Sequence, residues 1–146
     1  MKADRHKSLQ QLDGQDWGEP TYDSHLVIEC HRLRRVPLHE FTIANLRIMI
    51  GQNIGLEHLV PLALERLDDN PFAEGDCYPC DLLTNVLKAE PAFWQAHPKL
   101  LDTILTIAGR AIAAFPTMPD FVSKTVTRSV IEAYDRLQTR RPSPSS

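Results

Sequence analysis

The feature that most constrains this chain is the spacing of its apolar residues, which recur every three to four positions along most of its length and are cut into segments by eleven prolines. A helix buries one stripe at that period, whereas a half-buried strand needs strict alternation, and no sustained alternation occurs. Leu26, Val27, Cys30 and Leu33 make such a stripe from residue 24 to about 35, with Asp23 or Ser24 as its N-cap and Pro37 as its stop. Thr42 is placed to cap the next helix, and Phe41 just outside it can pack on Leu46 four positions inside. Ile43, Leu46, Met49 and Ile50 form the buried stripe of that segment.

Leu56, Leu59, Val60, Ala63, Leu64 and Leu67 share the face of a third helix running to about Asp69, with Pro61 inside it predicting a kink or a later start. Asn70-Pro71 ends that helix, and a short one is expected from Asp81 to about Ala89. Trp94 falls on a one-turn piece between Pro91 and Pro98. A wide apolar face follows from Lys99 to Phe115, and a last helix runs from about Phe121 to Thr139. The prediction is an all-α fold, about six helices packed as antiparallel hairpins, in a single domain over residues 1–140. Residues 141–146, Arg-Pro-Ser-Pro-Ser-Ser, carry no apolar side chain and are expected to be disordered. No internal repeat is present.

With 146 residues, 42% of them hydrophobic, the chain can bury a sizeable core without disulfides or metals. The N-terminus has charges but no apolar run behind them, and no run approaches the length of a membrane span. The chain is therefore expected in the cytoplasm, away from membranes, with its three cysteines reduced.

Charge is distributed unevenly. Residues 1–82 hold 14 acids against 8 bases, whereas residues 83–146 hold 5 acids against 8 bases. Two runs account for most of the excess: Asp13, Asp16, Glu19 and Asp23, then Asp68, Asp69, Glu74, Asp76 and Asp81 together with Glu65. Such faces repel phosphates and suit a basic protein partner, although carboxylates are also ordinary on loops and near helix N-termini. The local basic cluster Arg32, Arg34 and Arg35 does not restore a nucleic-acid site. Its arginines cannot share one helix face, and the acids just before them invite intramolecular ion pairs instead. No nucleic-acid partner is predicted.

Cys77-Tyr78-Pro79-Cys80 has the spacing used by thiol oxidoreductases and by half of a zinc site. Oxidoreductases place that motif after a strand in a βαβ unit, and this chain shows none. A structural zinc needs four ligands; Cys30 lies on an apolar stripe, and the six histidines are scattered singly. Phosphate-binding glycine loops, nucleophile elbows and metalloprotease motifs are absent from the sequence. No catalytic residue, metal ligand or cofactor is predicted, and the chain is not expected to be an enzyme. The competing reading is a small helical redox or metal-binding protein using Cys77 and Cys80.

The longest continuous pattern spans residues 12–87. It includes Trp17-Gly18-Glu19-Pro20, Asp23-Ser24-His25-Leu26-Val27, Leu33-Arg34-Arg35-Val36-Pro37-Leu38, Leu46-Arg47-Ile48-Met49-Ile50-Gly51-Gln52, Pro61-Leu62-Ala63-Leu64-Glu65, Asn70-Pro71 and Glu74-Gly75-Asp76. In this stretch the chain resembles the CdiI family, the immunity proteins of bacterial contact-dependent growth inhibition. Weaker similarity continues to Trp94 and on towards residue 105, and there is none from Pro116 onward, so the last helix is expected to be particular to this chain.

The resemblance implies a cytoplasmic protein that binds and neutralises the C-terminal toxin domain of a cognate effector, CdiA, in a one-to-one complex. Many such toxins are nucleases with basic active sites, and an acidic inhibitor face would steer association with one. It also implies glycine where this chain has Cys80, in a Tyr-Pro-Gly-Asp-Leu-Leu turn, which argues against a functional cysteine pair. Within the pattern, Trp17 is expected to plug a gap between helices, and Gly51 and Gly55 to permit turns or close approach. Arg47 and Gln52 are open between a structural hydrogen bond and a contact with the partner. The candidate toxin-binding residues are Asp68, Asp69, Glu74, Asp76 and Asp81, and secondarily Asp13, Asp16, Glu19 and Asp23.

Overall fold

The structure, a computed structural model, describes residues 5–18, 24–118 and 120–139. Among these, eight α-helices and two short 3-10 turns occur, with no strand. The helices are α1 (Leu9–Asp13), α2 (His25–Leu33), α3 (Ile43–Gly51), α4 (Leu56–Asp69), α5 (Asp81–Leu87), α6 (Pro91–Ala96), α7 (Pro98–Ala114) and α8 (Lys124–Gln138). The 3-10 turns are Leu38–Glu40 and Phe115–Thr117. The all-α expectation holds, with more and shorter pieces than the six helices read from the sequence.

Local chemistry explains most of the boundaries. Thr42 accepts from the Asn45 amide while the Asn45 side chain accepts from the Thr42 amide, a reciprocal cap that satisfies two otherwise orphaned donors. Phe41 and Leu46 are both buried, as the staple requires. Ser8 and Gln11 make the same box at α1, a helix the periodicity did not reveal because it is one turn long. The Ser-x-x-Gln spacing was its sequence signal.

Pro61 lies inside a continuous α4 rather than starting it. The bond it cannot donate would have gone to the carbonyl of Glu57, in the exposed first turn, where water can take the partner's place. Asp23, the alternative cap for α2, and residues 140–146 lie outside the described residues.

The centre of the molecule is α5. Six of its seven residues are buried, because it packs against α3, α4, α7 and α8. Sequential pairs such as α3–α4 and α7–α8 do pack, but α3–α5 and α5–α8 are equally close junctions between helices not adjacent in sequence. Leu82, Leu83, Val86 and Leu87 of α5 join Leu59, Leu67, Ile104, Ala108 and Val130 in one core. Each fully buried aliphatic side chain there contributes roughly 1.5–3 kcal/mol.

Two expectations about burial are corrected. Leu26, assigned to the inner stripe of α2, is 40% exposed: α2 is peripheral, packs mainly on α3, and buries only Cys30 and Leu33. The segment Pro98–Thr117 is long and apolar enough to cross a bilayer, contrary to the reading that no such run exists. Its apolar face is instead applied to α4, α5, α6 and α8 through Leu101, Ile104, Leu105, Ala108 and Ala111.

Candidate functional site

Of the acidic residues nominated from sequence, Asp68 and Asp69 end α4, Glu74 and Asp76 stand on the loop between α4 and α5, and Asp81 opens α5, whereas Asp13 ends α1 and Asp16 lies on the strap after it, residues 14–18. In the loop, Asn70 ends α4 and its side chain accepts from the Phe72 amide, turning the chain back. The Phe72 ring then packs against Phe115 and Phe121. The Phe72 carbonyl accepts from the Cys80 amide at 3.2 Å, closing the loop at its base.

Asp81 organises everything between. Its carboxylate is 1% exposed and accepts from the amides of Gly75 (2.6 Å), Cys77 (3.1 Å) and Tyr78 (3.4 Å). Arg47 of α3 donates Nε–H to the Gly75 carbonyl at 2.6 Å and lies 3.6 Å from the carboxylate. Asn85 of α5 in turn donates to the Arg47 carbonyl. Asp81 is therefore not a surface acid: burial behind three amides removes it from the candidate contact residues and makes it the frame of the loop. For Arg47 the structural role is the observed one.

Gly75 is buried where the loop presses on the start of α3. A Cβ there would come within 3.0 Å of the Ala44 Cα. The frame turns Glu74 and Asp76 outward, Asp76 at φ 77°, a left-handed conformation that Asp tolerates better than most residues. Asp68 and Asp69 are exposed at the end of α4, and Arg110 of α7 donates to both the carbonyl and the carboxylate of Asp68 at 3.2 Å.

Cys80 has φ 72°, the region that glycine enters freely, so the glycine implied by the family turn has a conformational reason. Its thiol is fully buried, and desolvation together with the neighbouring Asp81 carboxylate pushes its pKa up to about 12. Cys77 is exposed, and all three thiols are free. A buried thiol held protonated is the opposite of what a nucleophilic or metal-binding cysteine requires. No three His, Cys, Asp or Glu residues converge as metal ligands among the described residues.

The basic cluster at the C-terminal end of α2 is consumed by the acids before it. Arg34, 3% exposed, makes two 2.8 Å bonds to the Asp13 carboxylate and a third to the Gln15 carbonyl. The hydrogen bond from Arg34 holds the Asp13 carboxyl below its ordinary range. Asp16 accepts from the Gly18 amide, and Arg35 donates to the Gly18 carbonyl. Arg32 pairs with Glu29 along the helix.

Trp17 is not a plug. It is 41% exposed and lies over the Arg34 guanidinium at 4.5 Å, with its edge contact to His31. Glu19 and Asp23 lie outside the described residues. Charge reading from sequence missed Glu40, which sits on the 3-10 turn before α3 and faces the same groove as Glu74 and Asp76. No sequence signal links residue 40 to residue 74; only packing does.

No curated protein and no solved structure matches this chain. A family model described as CDI immunity proteins matches residues 11–104, a segment that contains both the Arg34 clamp and the Asp81 frame. That match covers well over half of the 146 residues, and the chain belongs to the family of CDI immunity proteins.

Proposed function

We propose that this protein binds the C-terminal toxin domain of a cognate contact-dependent growth inhibition effector, in the cytoplasm of the cell that makes it, and neutralises it in a one-to-one complex. Family membership is the observation that carries this reading. No catalysis by the immunity protein is needed, and neither a membrane nor a nucleic acid enters as partner. The toxin is proposed to be a nuclease, because a face rich in carboxylates complements a surface built to hold phosphates.

The contact residues proposed are Asp68, Asp69, Glu74 and Asp76, which are exposed at the α4–α5 edge. Asp13, Asp16, Glu19 and Asp23 form the second choice. The clamp on Asp13 weakens its claim, since a carboxylate already held by a buried guanidinium offers little to a partner. The thiol alternative is disfavoured by the buried, protonated state of Cys80.

Co-expression tests the reading. Cells carrying this protein should survive the toxin domain encoded beside it, and should die under unrelated toxin domains. Protection should persist in the Cys77→Ser, Cys80→Ser double variant. Death at the control rate under the neighbouring toxin would overturn the proposal, and loss of protection in a folded double variant would revive the thiol reading. Reversing Asp69, Glu74 and Asp76 to lysine should slow association and reduce its dependence on salt.

A further inference from the structure

The acidic edge contains a groove that the linear charge pattern does not show. The 3-10 turn and the first residues of α3 form one side, with Phe41, Ile43 and Ala44 as an apolar floor. Glu74 and Asp76 rise from the α4–α5 loop on the other side, and Glu40 faces them from the 3-10 turn. The cavity measures about 590 Å³ and is open to solvent.

Its charge balance is decided by three carboxylates. Arg66 and His39 also line it, and the N-terminus of α3 adds the equivalent of roughly half a positive charge. The helix N-terminus is already served by the Thr42–Asn45 box. The three carboxylates exceed the Arg66 guanidinium and the helix terminus together by more than a full charge.

The groove is also preformed. Gly75 is locked between the Asp81 carboxylate and Arg47, and packs directly on the Ala44 backbone, so Glu74 and Asp76 cannot drift from α3 without breaking buried hydrogen bonds. A partner pays little ordering entropy at such a site.

Building on the toxin-neutralising reading, we propose that this groove receives a lysine or arginine side chain from the toxin domain. The aliphatic stem lies along Ile43 and Ala44 and the cation sits among Glu40, Glu74 and Asp76. A long cationic side chain is the occupant that satisfies both halves of the site, since its stem is apolar and its head is charged. Asp68, turned towards Arg110, is outside the groove and is not part of this contact.

The experiment measures binding kinetics of the full-length protein with its cognate toxin domain at several ionic strengths. The Glu40→Gln, Glu74→Gln, Asp76→Asn triple variant should bind at least about 30-fold more weakly, mainly through faster dissociation, as when a desolvated ion pair is cut. Ala44→Lys, which places a resident ammonium in the groove, should weaken binding to a similar degree while leaving the carboxylates in place. Glu132→Gln with Asp135→Asn, exposed acids of α8 outside the proposed contact residues, should stay within about threefold of wild type. Thermal unfolding checks each variant, and Ala44→Lys decides the matter if the triple variant does not fold. Wild-type affinity in Ala44→Lys or in a folded triple variant overturns the groove, as does an equal loss in the Glu132, Asp135 control. A wild-type protein that fails to bind the toxin overturns the underlying reading instead, and the groove with it.

Discussion

The carboxylate of Asp81, at the first turn of α5, lies 3.6 Å from Nε of Arg47 in the middle of α3, and the two grip opposite sides of Gly75. Arg47 takes the glycine's carbonyl and Asp81 takes its amide. This fixes the α4–α5 loop to two helices at once and makes a buried acid the support of exposed ones.

Breaking that grip should be costly. Asp81→Ala leaves the amides of Gly75, Cys77 and Tyr78 without their acceptor and should lower unfolding free energy by about 3 kcal/mol. Asp81→Asn keeps one acceptor oxygen and should cost roughly half as much. Urea denaturation distinguishes them, and equal losses would show that the charge, rather than the acceptors, matters.

Gly75→Ala probes the same place sterically. The new Cβ would meet the backbone of Ala44 at 3.0 Å, and backbone cannot swing away as a side chain can. A loss of about 1–3 kcal/mol is expected, measured by the shift in urea midpoint at unchanged slope.

Cys80→Gly should change stability by less than about 1 kcal/mol, because relief of the left-handed backbone offsets the lost burial of a small side chain. Cys80→Val should be clearly destabilising, since a branched Cβ resists φ 72°. In the native protein a thiol reagent should modify Cys77 alone of the three cysteines until denaturant is added.

The Cys80 thiol also gives the protein an alkaline limit. Its pKa is raised from 9.0 to about 12 on folding, so between those values the native state holds a proton that the unfolded state has released. Stability attributable to this group is full below pH 9 and declines as pH rises towards 12. Cys80→Ala should flatten that decline; Cys30, raised for the same reason, stays constant in the comparison.

At the acid side the relevant pair is Asp13 with Arg34. The folded Asp13 carboxyl titrates below its ordinary 3.8, so its contribution is present above that value and is lost as pH falls through the lower folded one. Asp13→Asn should reduce the acid dependence of unfolding. Arg34→Met should release the strap, seen as stronger acrylamide quenching of Trp17 fluorescence against the buried background of Trp94. Quenching unchanged in a folded Arg34→Met variant would show that other contacts hold the strap.

The sequence by itself determined that the chain is helical and where most helices begin and end, because periodicity and capping are local: Thr42 and Asn45, or the stops at Pro37 and Asn70, act within a turn of where they stand. It also determined the family, through a pattern long enough to be specific. It did not separate acids that serve the fold from acids that face outward. Asp76 and Asp81 are five residues apart with the same chemistry, yet one is exposed and the other is buried behind three amides. Trp17 likewise reads as core and stands on the surface, because the arginine beneath it is what the fold buries. Burial is a property of what packs against a residue from distant parts of the chain. The same reason brings Glu40 to Glu74 and Asp76, and that meeting was for the tertiary structure to decide.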